Sequence, residues 1–304
     1  MSVQQLARPA SDASPEPTPP PVPARRPRNP DAIWRVYFRK PLVRVAMPIL
    51  VFIILASVIG PLLTGDPFAT NHPTFVPPSA EYPLGTDNLG RDYLGRVLMG
   101  GQVSLLVGFS VALLCLTVAL IVGGLAGFYG GVLDTVLVKI SEFFQVIPGI
   151  VLALVAAAIL GANLGIIVAI LAVTMWPGVA RIVRAEAMRI SQLGYVESQR
   201  AAGFPSVRIL WSDVLPNAMP PVLVATTMTV ARAILAESGL SFLGIGDANR
   251  PSWGALLNQA QPYISTAWWL AVFPGLCIFI VVLAINLLGD ALNDALNPSI
   301  GRVK

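Results

Sequence analysis

Residues 194–216 read GYVESQRAAGFPSVRILWSDVLP, a polar segment set between two long apolar runs and carrying Glu197, Arg200, Arg208 and Asp213. Up to Ala202 the residues suit a helix. Gly203 then permits a backbone turn that residues with a Cβ resist. Pro205 suits the first turn of a new helix, where its missing N–H leaves nothing unpaired. Pro216 marks a break or a helix start before the next apolar run. The spacing predicts helix, sharp turn, short helix and re-entry into apolar surroundings. Within the second helix Val207, Leu210, Trp211 and Val214 fall at i, i+3, i+4 and i+7, an amphipathic stripe. Two readings fit such a segment between membrane spans: a linker lying on the headgroups, or a docking element for a soluble partner.

The surroundings are those of a polytopic membrane protein. The chain has 304 residues, 55% hydrophobic and 12% charged, with mean hydropathy +0.72; soluble domains run nearer a quarter charged. A net charge of +4 does not call for nucleic acid, because the arginines gather between the spans and in the N-terminal tail. Cys115 and Cys277 lie within apolar runs and read as small buried hydrophobes, not a disulfide. His72 is the single histidine, and no Cys/His spacing suggests a metal. The sequence holds no GxxxxGKS/T phosphate loop and no GxSxG or HExxH motif. It is therefore not expected to be an enzyme or to hold a cofactor; energy has to arrive from a partner.

Residues 1–34 are rich in Pro, Ser and Ala and are expected to be disordered. They do not read as a signal peptide, since Asp12 and Glu16 stand where an apolar core should be. The basic run Arg35, Arg39, Lys40 and Arg44 abuts the first apolar run, Ala46–Leu63. A Pro-rich loop follows to about Gly101, so 35–101 reads as the first span with its outer loop. Residues 102–298 carry the remaining runs, at about 103–127, 143–160, 164–180, 217–236 and 268–288, and 299–304 form a short tail. Roughly 20 helical residues cross the hydrocarbon core, so an all-α protein with six transmembrane helices is expected.

Orientation follows from Lys and Arg. With the N-terminus inside, the inner segments hold eight in 1–45, one in 128–142, five in 181–216 and two in 289–304, against Arg91, Arg96 and Arg250 outside. The positive-inside rule puts both tails and the 194–216 loop in the cytoplasm.

Gly123 and Gly127, and Gly161 and Gly165, stand at GxxxG spacing and allow close helix approach. Pro148 and Pro177 are expected to kink the third and fourth spans or mark their ends. In the outer loop Asp87, Arg91, Asp92 and Arg96 alternate in sign, and Leu89, Tyr93, Leu94 and Val97 make a helical stripe with charges paired among themselves. Arg232 and Glu237 lie toward the outer end of the fifth span. Such residues face a partner or an aqueous path, or snorkel to the interface. The Gly-rich ESGLSFLGIG after Ala236 reads as a break or re-entrant turn.

The 194–216 segment resembles the cytoplasmic coupling loop of ABC-importer permeases, whose pattern is Glu-Ala-Ala, three residues, Gly, ten residues, then Ile-Leu-Pro. Glu197, Gly203, Leu215 and Pro216 stand at the matching spacing, with Ser198 and Gln199 for the two alanines and Val214 for the isoleucine. With YPLGTDNLGRDYLGRVLMGGQVSLLVG at 82–108, WPG at 176–178, LSFLGIG at 240–246, PSWG at 251–254 and NLLGDALNDALNP at 286–298, the chain is similar to the C-type permeases of dipeptide, oligopeptide and nickel ABC importers. The resemblance implies a type I ABC importer permease fold in a bacterial cytoplasmic membrane. It implies as partners a homologous B-type permease, two ATPase subunits that bind the ATP, and an extracytoplasmic substrate-binding protein. It makes Tyr195, Glu197, Ser198, Gln199, Ala202, Gly203, Phe204, Pro205, Leu210, Trp211, Leu215 and Pro216 the loop through which ATP hydrolysis moves the spans. Glu197 is expected to meet an ATPase arginine in a charge-assisted hydrogen bond; Leu210 and Trp211 either enter an ATPase groove or face headgroups. Arg232 and Glu237 are the candidates for the translocation path, Arg232 meeting a peptide carboxylate. The implied cargo is a dipeptide or oligopeptide, with nickel chelates, glutathione-like peptides or opines as alternatives. A proton-coupled secondary transporter is the rival class. It needs carboxylates deep in spans, whereas Asp134, Glu142 and Asp290 lie near span ends.

Overall fold

Long apolar segments in lipid can satisfy their backbone polar groups only among themselves, which selects helices. The structure, a computed structural model, describes residues 30–146, 148–247 and 249–296, and their fold is helical apart from one antiparallel bridge between Thr86 and Asp92. Helix α1 (Pro30–Arg39) leads into α2 (Pro41–Leu63), which starts on a proline, where no N–H is needed. Helix α3 (Tyr93–Tyr129) begins where the Asp92 carboxylate accepts the N–H groups of Leu94 and Gly95, an N-cap. Then come α4 (Gly131–Val146), α5 (Gly149–Leu160) and α6 (Leu164–Ser191), the last capped by Asn163. The short α7 (Gly194–Ala201) and α8 (Ser206–Ile209) precede α9 (Leu215–Phe242), α10 (Trp253–Ala260) and α11 (Trp269–Leu296).

Five helical runs are long and apolar enough to cross a membrane: α2, α3, α6, Ser206–Phe242 and α11. The sequence predicts a further span over 143–160, and here the structure differs. That run is divided before Gly149, and α4 and α5 meet at 76°. Pro148, with no N–H to give a preceding carbonyl, sits at the break. Alone, α5 is about 18 Å long, short of the ~30 Å core; counted with α4 it makes the sixth span. Pro177, by contrast, lies inside α6, which runs through it.

Helices α3 and α6 form the closest pair. A Cβ added at Gly123 would strike the carbonyl oxygen of Ala180, and one at Gly127 that of Arg184. The other glycine pair does something else. Gly161 ends α5 at φ +83 with nothing near it, and Gly165 makes no helix contact. Arg184 on α6 also grips Asp134 on α4 through two bonds, at 2.5 and 2.6 Å. Cys115 is buried, with its thiol against the Ala172 carbonyl, and Cys277 is half-buried; both are free.

The outer loop is an ordered cap built on Asp87. Its carboxylate accepts the N–H groups of Leu89 and Arg91, the Arg91 side chain at 2.6 Å and Arg96 at 3.1 Å. Arg96, 2% exposed, reaches on to Gln259 of α10 at 2.7 Å. Asp87, Arg91 and Arg96 thus pair as expected, whereas Asp92 caps α3 instead, and Leu89 precedes the helix and is exposed, so the predicted stripe begins only at Tyr93. Helix α10 lies against α3 and α9: Trp253 is buried and donates its indole N–H to the Val97 carbonyl, while Gly254 touches the Ser238 backbone.

The expected disorder of 1–34 overlaps α1, which already starts at Pro30; residues 1–29, the C-terminal 299–304 and the end of the NLLGDALNDALNP block lie outside the described residues. Tyr37 and Val43 pack with Leu288 and Ala291 of α11, and Lys40 meets Asp294 at 2.7 Å. Both ends of the described chain therefore sit on one side of the bundle. The 194–214 segment is on that side too, since Arg200 lies over Phe128 at the end of α3.

Candidate functional site

Helix α7 ends in two reciprocal backbone bonds: Gly203 N–H to the Arg200 carbonyl at 3.0 Å, and Phe204 N–H to that of Gln199 at 3.1 Å. This Schellman closure needs a left-handed residue, and Gly203 supplies it at φ +80. Pro205 then starts α8, as its fixed φ favours. The predicted helix, turn and short helix are present.

The exit meets one of the two expectations: Pro216 stands in the first turn of α9, a helix start, and no break separates it from the turn before. Residues Leu210–Val214 form a π turn, closed by the Leu215 N–H on the Leu210 carbonyl, and the helix continues into α9. Pro216 cannot donate to the Ser212 carbonyl four residues back, so the ordinary ladder fails there and the wider turn takes its place. The Asn217 side chain donates to the Asp213 carbonyl at 2.6 Å and covers another exposed acceptor.

The π turn decides which side chains point inward. Val196, Ile209, Leu210, Val214 and Leu215 are buried in one cluster with Phe128, Val183, Ala187 and Ile190. Val207 and Trp211 are 61% and 48% exposed. The predicted stripe of Val207, Leu210, Trp211 and Val214 is thus split: Leu210 and Val214 root the segment, Val207 and Trp211 face out. Leu210 is not free to enter a groove on another protein; Trp211 is.

The outward surface carries Tyr195, Phe204, Val207 and Trp211, all apolar and more than two-fifths exposed. Around them lie Glu197, Ser198, Ala202 and Pro205, also exposed. Arg208 stacks on Phe204 at 5.0 Å and Arg200 on Phe128 at 4.9 Å, so both arginines brace the elbow. The Glu197 carboxylate makes no hydrogen bond or ion pair among the described residues. Gln199 is half-buried, and its Oε1 has no donor among them. The arrangement is a knob, rooted in the core at one end and offering aromatic area and a free carboxylate at the other.

The two path candidates part company. Arg232 is exposed and lines an open cavity of about 580 Å³ between α4, α6, α9 and α11. Glu237, 1% exposed, is not part of that lining; it accepts from Ser241 at 2.6 Å and Ser104 at 3.2 Å, joining α9 to α3. Arg181, which sequence reasoning counted only as a positive charge at a span end, lines the same cavity as Arg232.

A family model described as "Binding-protein-dependent transport system inner membrane component" matches residues 119–302. The chain is 38% identical over 273 residues to the dipeptide transport system permease protein DppC of Bacillus subtilis (strain 168), covering 88% of this chain and 85% of that protein. It is 39% identical over 224 residues to the glutathione transport system permease protein GsiD of Pectobacterium atrosepticum, covering 73% and 74%. Among solved structures it resembles a chain of the MetNI methionine ABC transporter in inward-facing form, with a TM-score of 0.57 at 23% identity, covering 67% of this chain and 98% of that one. This last likeness bears on the fold.

Proposed function

Because this chain belongs to the family of binding-protein-dependent transport system inner membrane components, we propose that it is the permease subunit of an ATP-driven importer that takes up dipeptides or oligopeptides by alternating access. The single observation that carries the coupling role is the elbow: a core-rooted knob whose outer face is aromatic and carries the exposed, unused carboxylate of Glu197. Interfaces draw their strength from a few such aromatic anchors.

Transport power comes from two ATPase subunits that grip this knob; a homologous B-type permease completes the path, and an extracytoplasmic binding protein delivers the cargo. The chain itself is not an enzyme, and ATP is bound by its partners. It sits in the inner membrane with both termini and the knob in the cytoplasm, an orientation supported by the Lys and Arg bias and by the meeting of Lys40 with Asp294. In the coupling loop Glu197 bonds an ATPase arginine, Tyr195, Phe204 and Trp211 fill its groove, and Ser198, Gln199, Ala202, Pro205 and Pro216 shape the elbow around Gly203. Leu210 and Leu215 hold it to the spans. Arg232 lines the path; Glu237 braces it from behind.

Glutathione is the second reading for the cargo, favoured by the similarity to a glutathione permease. The test is uptake of labelled dipeptides, oligopeptides and glutathione in a strain lacking this gene, restored by wild type or Glu197→Ala. Restored peptide uptake by wild type, with loss of both uptake and cargo-stimulated ATPase in the variant, is the expected result. Restored uptake with the ATPase partner deleted would overturn it.

A further inference from the structure

The cavity between α4, α6, α9 and α11 has a one-sided chemistry. Its polar lining is Gln145, Thr174, Arg181, Thr229, Arg232 and Asn293; neither aspartate nor glutamate is among its lining residues. Arg181 and Arg232 are both exposed into open space, and neither has a hydrogen-bond or ion-pair partner among the described residues. Glu142, which shares the adjoining cavity with Arg181, is occupied by Lys139 at 3.0 Å. Two guanidinium groups left without counter-ions on span helices are costly unless something anionic or aqueous meets them.

Their placement adds direction. The lining runs over 174–182 on α6 and 221–232 on α9. These helices pack together and are joined through the elbow, so they run in opposite senses. Arg181 is then at the elbow end of the cavity and Arg232 at the far end, roughly 15–20 Å apart along the bundle by helical rise. An arginine fork matches a carboxylate in two parallel bonds.

We propose that Arg232 and Arg181 are two successive stations for the carboxylate of the cargo, Arg232 receiving it first and Arg181 taking it nearer the elbow. The inference rests on the reading of this chain as a peptide-importer permease and adds a polarity to it. The cargo travels with its carboxylate on this wall, and its ammonium, repelled here, is left to the opposite wall, which the partner permease supplies.

The test uses the assembled transporter, both permeases with ATPases and binding protein, in proteoliposomes. Uptake of labelled alanyl-alanine is compared with uptake of its C-terminal amide. The acid-to-amide ratio for each variant, divided by that for wild type, cancels any preference of the binding protein. Arg181→Gln and Arg232→Gln are each expected to lower the ratio about tenfold, as loss of a charge-assisted bond implies, while Arg181→Lys and Arg232→Lys retain most of it. An unchanged ratio in the Gln variants, whatever the absolute rates, overturns the proposal and assigns the arginines to lipid or to packing. Wild type that moves neither peptide on ATP sinks the peptide reading itself, and this inference with it.

Discussion

Arg200 lays its guanidinium over the ring of Phe128, 4.9 Å from the centroid, and so ties the elbow helix α7 to the end of the long span α3. The ring is buried and the arginine exposed, and a cation–π contact at an exposed cation contributes about 0.5–1 kcal/mol. That is small for folding but matters where one body must push another. Arg200→Ala and Phe128→Leu are each expected to raise the ATP consumed per peptide imported. The double variant should be no worse than either single one, as coupled partners require. Additive losses would show that the two residues act separately.

Gly203→Val should uncouple transport, because the Schellman closure holds this position at φ +80, where a β-branched residue costs about 1–3 kcal/mol. A Cβ there meets nothing within 4 Å, so the damage is conformational, not steric. Gly203→Asn, which tolerates the left-handed region, should keep clearly more uptake than Gly203→Val. Equal loss in the two would point to a contact at Gly203 instead.

Trp211 and Leu210 are neighbours with opposite fates. Trp211→Ala is expected to weaken ATPase binding at least tenfold, on the order of 2 kcal/mol for an interface anchor, without changing the thermal stability of the permease pair. Leu210→Ala should lower stability by about 2–5 kcal/mol through the cavity it leaves. Thermal melting and ATPase co-purification, measured on both variants, separate the two effects.

Enlarging Gly127 to Val puts a side chain where the Arg184 backbone already stands. Helices α3 and α6 must then separate, and overpacking costs about 1–3 kcal/mol or more. Reduced amounts of assembled transporter in the membrane are the expected readout, against normal amounts for Gly178→Ala, where a Cβ meets nothing.

Asp87→Asn removes the negative charge that neutralises buried Arg96. Breaking such a pair from one side costs about 3–5 kcal/mol, so the outer cap should loosen and proteolysis of the 64–92 loop should accelerate. Adding Arg96→Met to Asp87→Asn leaves no unpaired charge at that buried position, while the Asn oxygen can still accept the Leu89 and Arg91 N–H groups, and should restore much of the resistance.

Much of this arrangement is written in local chemistry. Gly203 followed by Pro205 dictates the elbow, and the apolar runs dictate the spans. Gly123 and Gly127 announce a close helix pair, though the equal spacing of Gly161 and Gly165 ends one helix and starts another, which spacing alone cannot distinguish. The periodicity of Val207, Leu210, Trp211 and Val214 is real but assumes an unbroken α ladder. The π turn forced near Pro216 redistributes those four between core and surface. Arg181 reads as a basic anchor at a span end, and only the antiparallel packing of α6 on α9 brings it into the same space as Arg232. The hub role of Asp87 is equally non-local, since Gln259 completes it from 163 residues beyond Arg96.

The unbroken helix from Ser206 to Phe242 joins two things usually held apart by a hinge. It is a rod about 55 Å long, with Trp211 near its foot and Arg232 about two-thirds of the way up. Between them stand the π turn and the prolines Pro216, Pro220 and Pro221, each taking a hydrogen bond out of the ladder. A push at the foot therefore reaches Arg232 through a shaft jointed in its lower half, which can turn part of a tilt into a bend before it arrives.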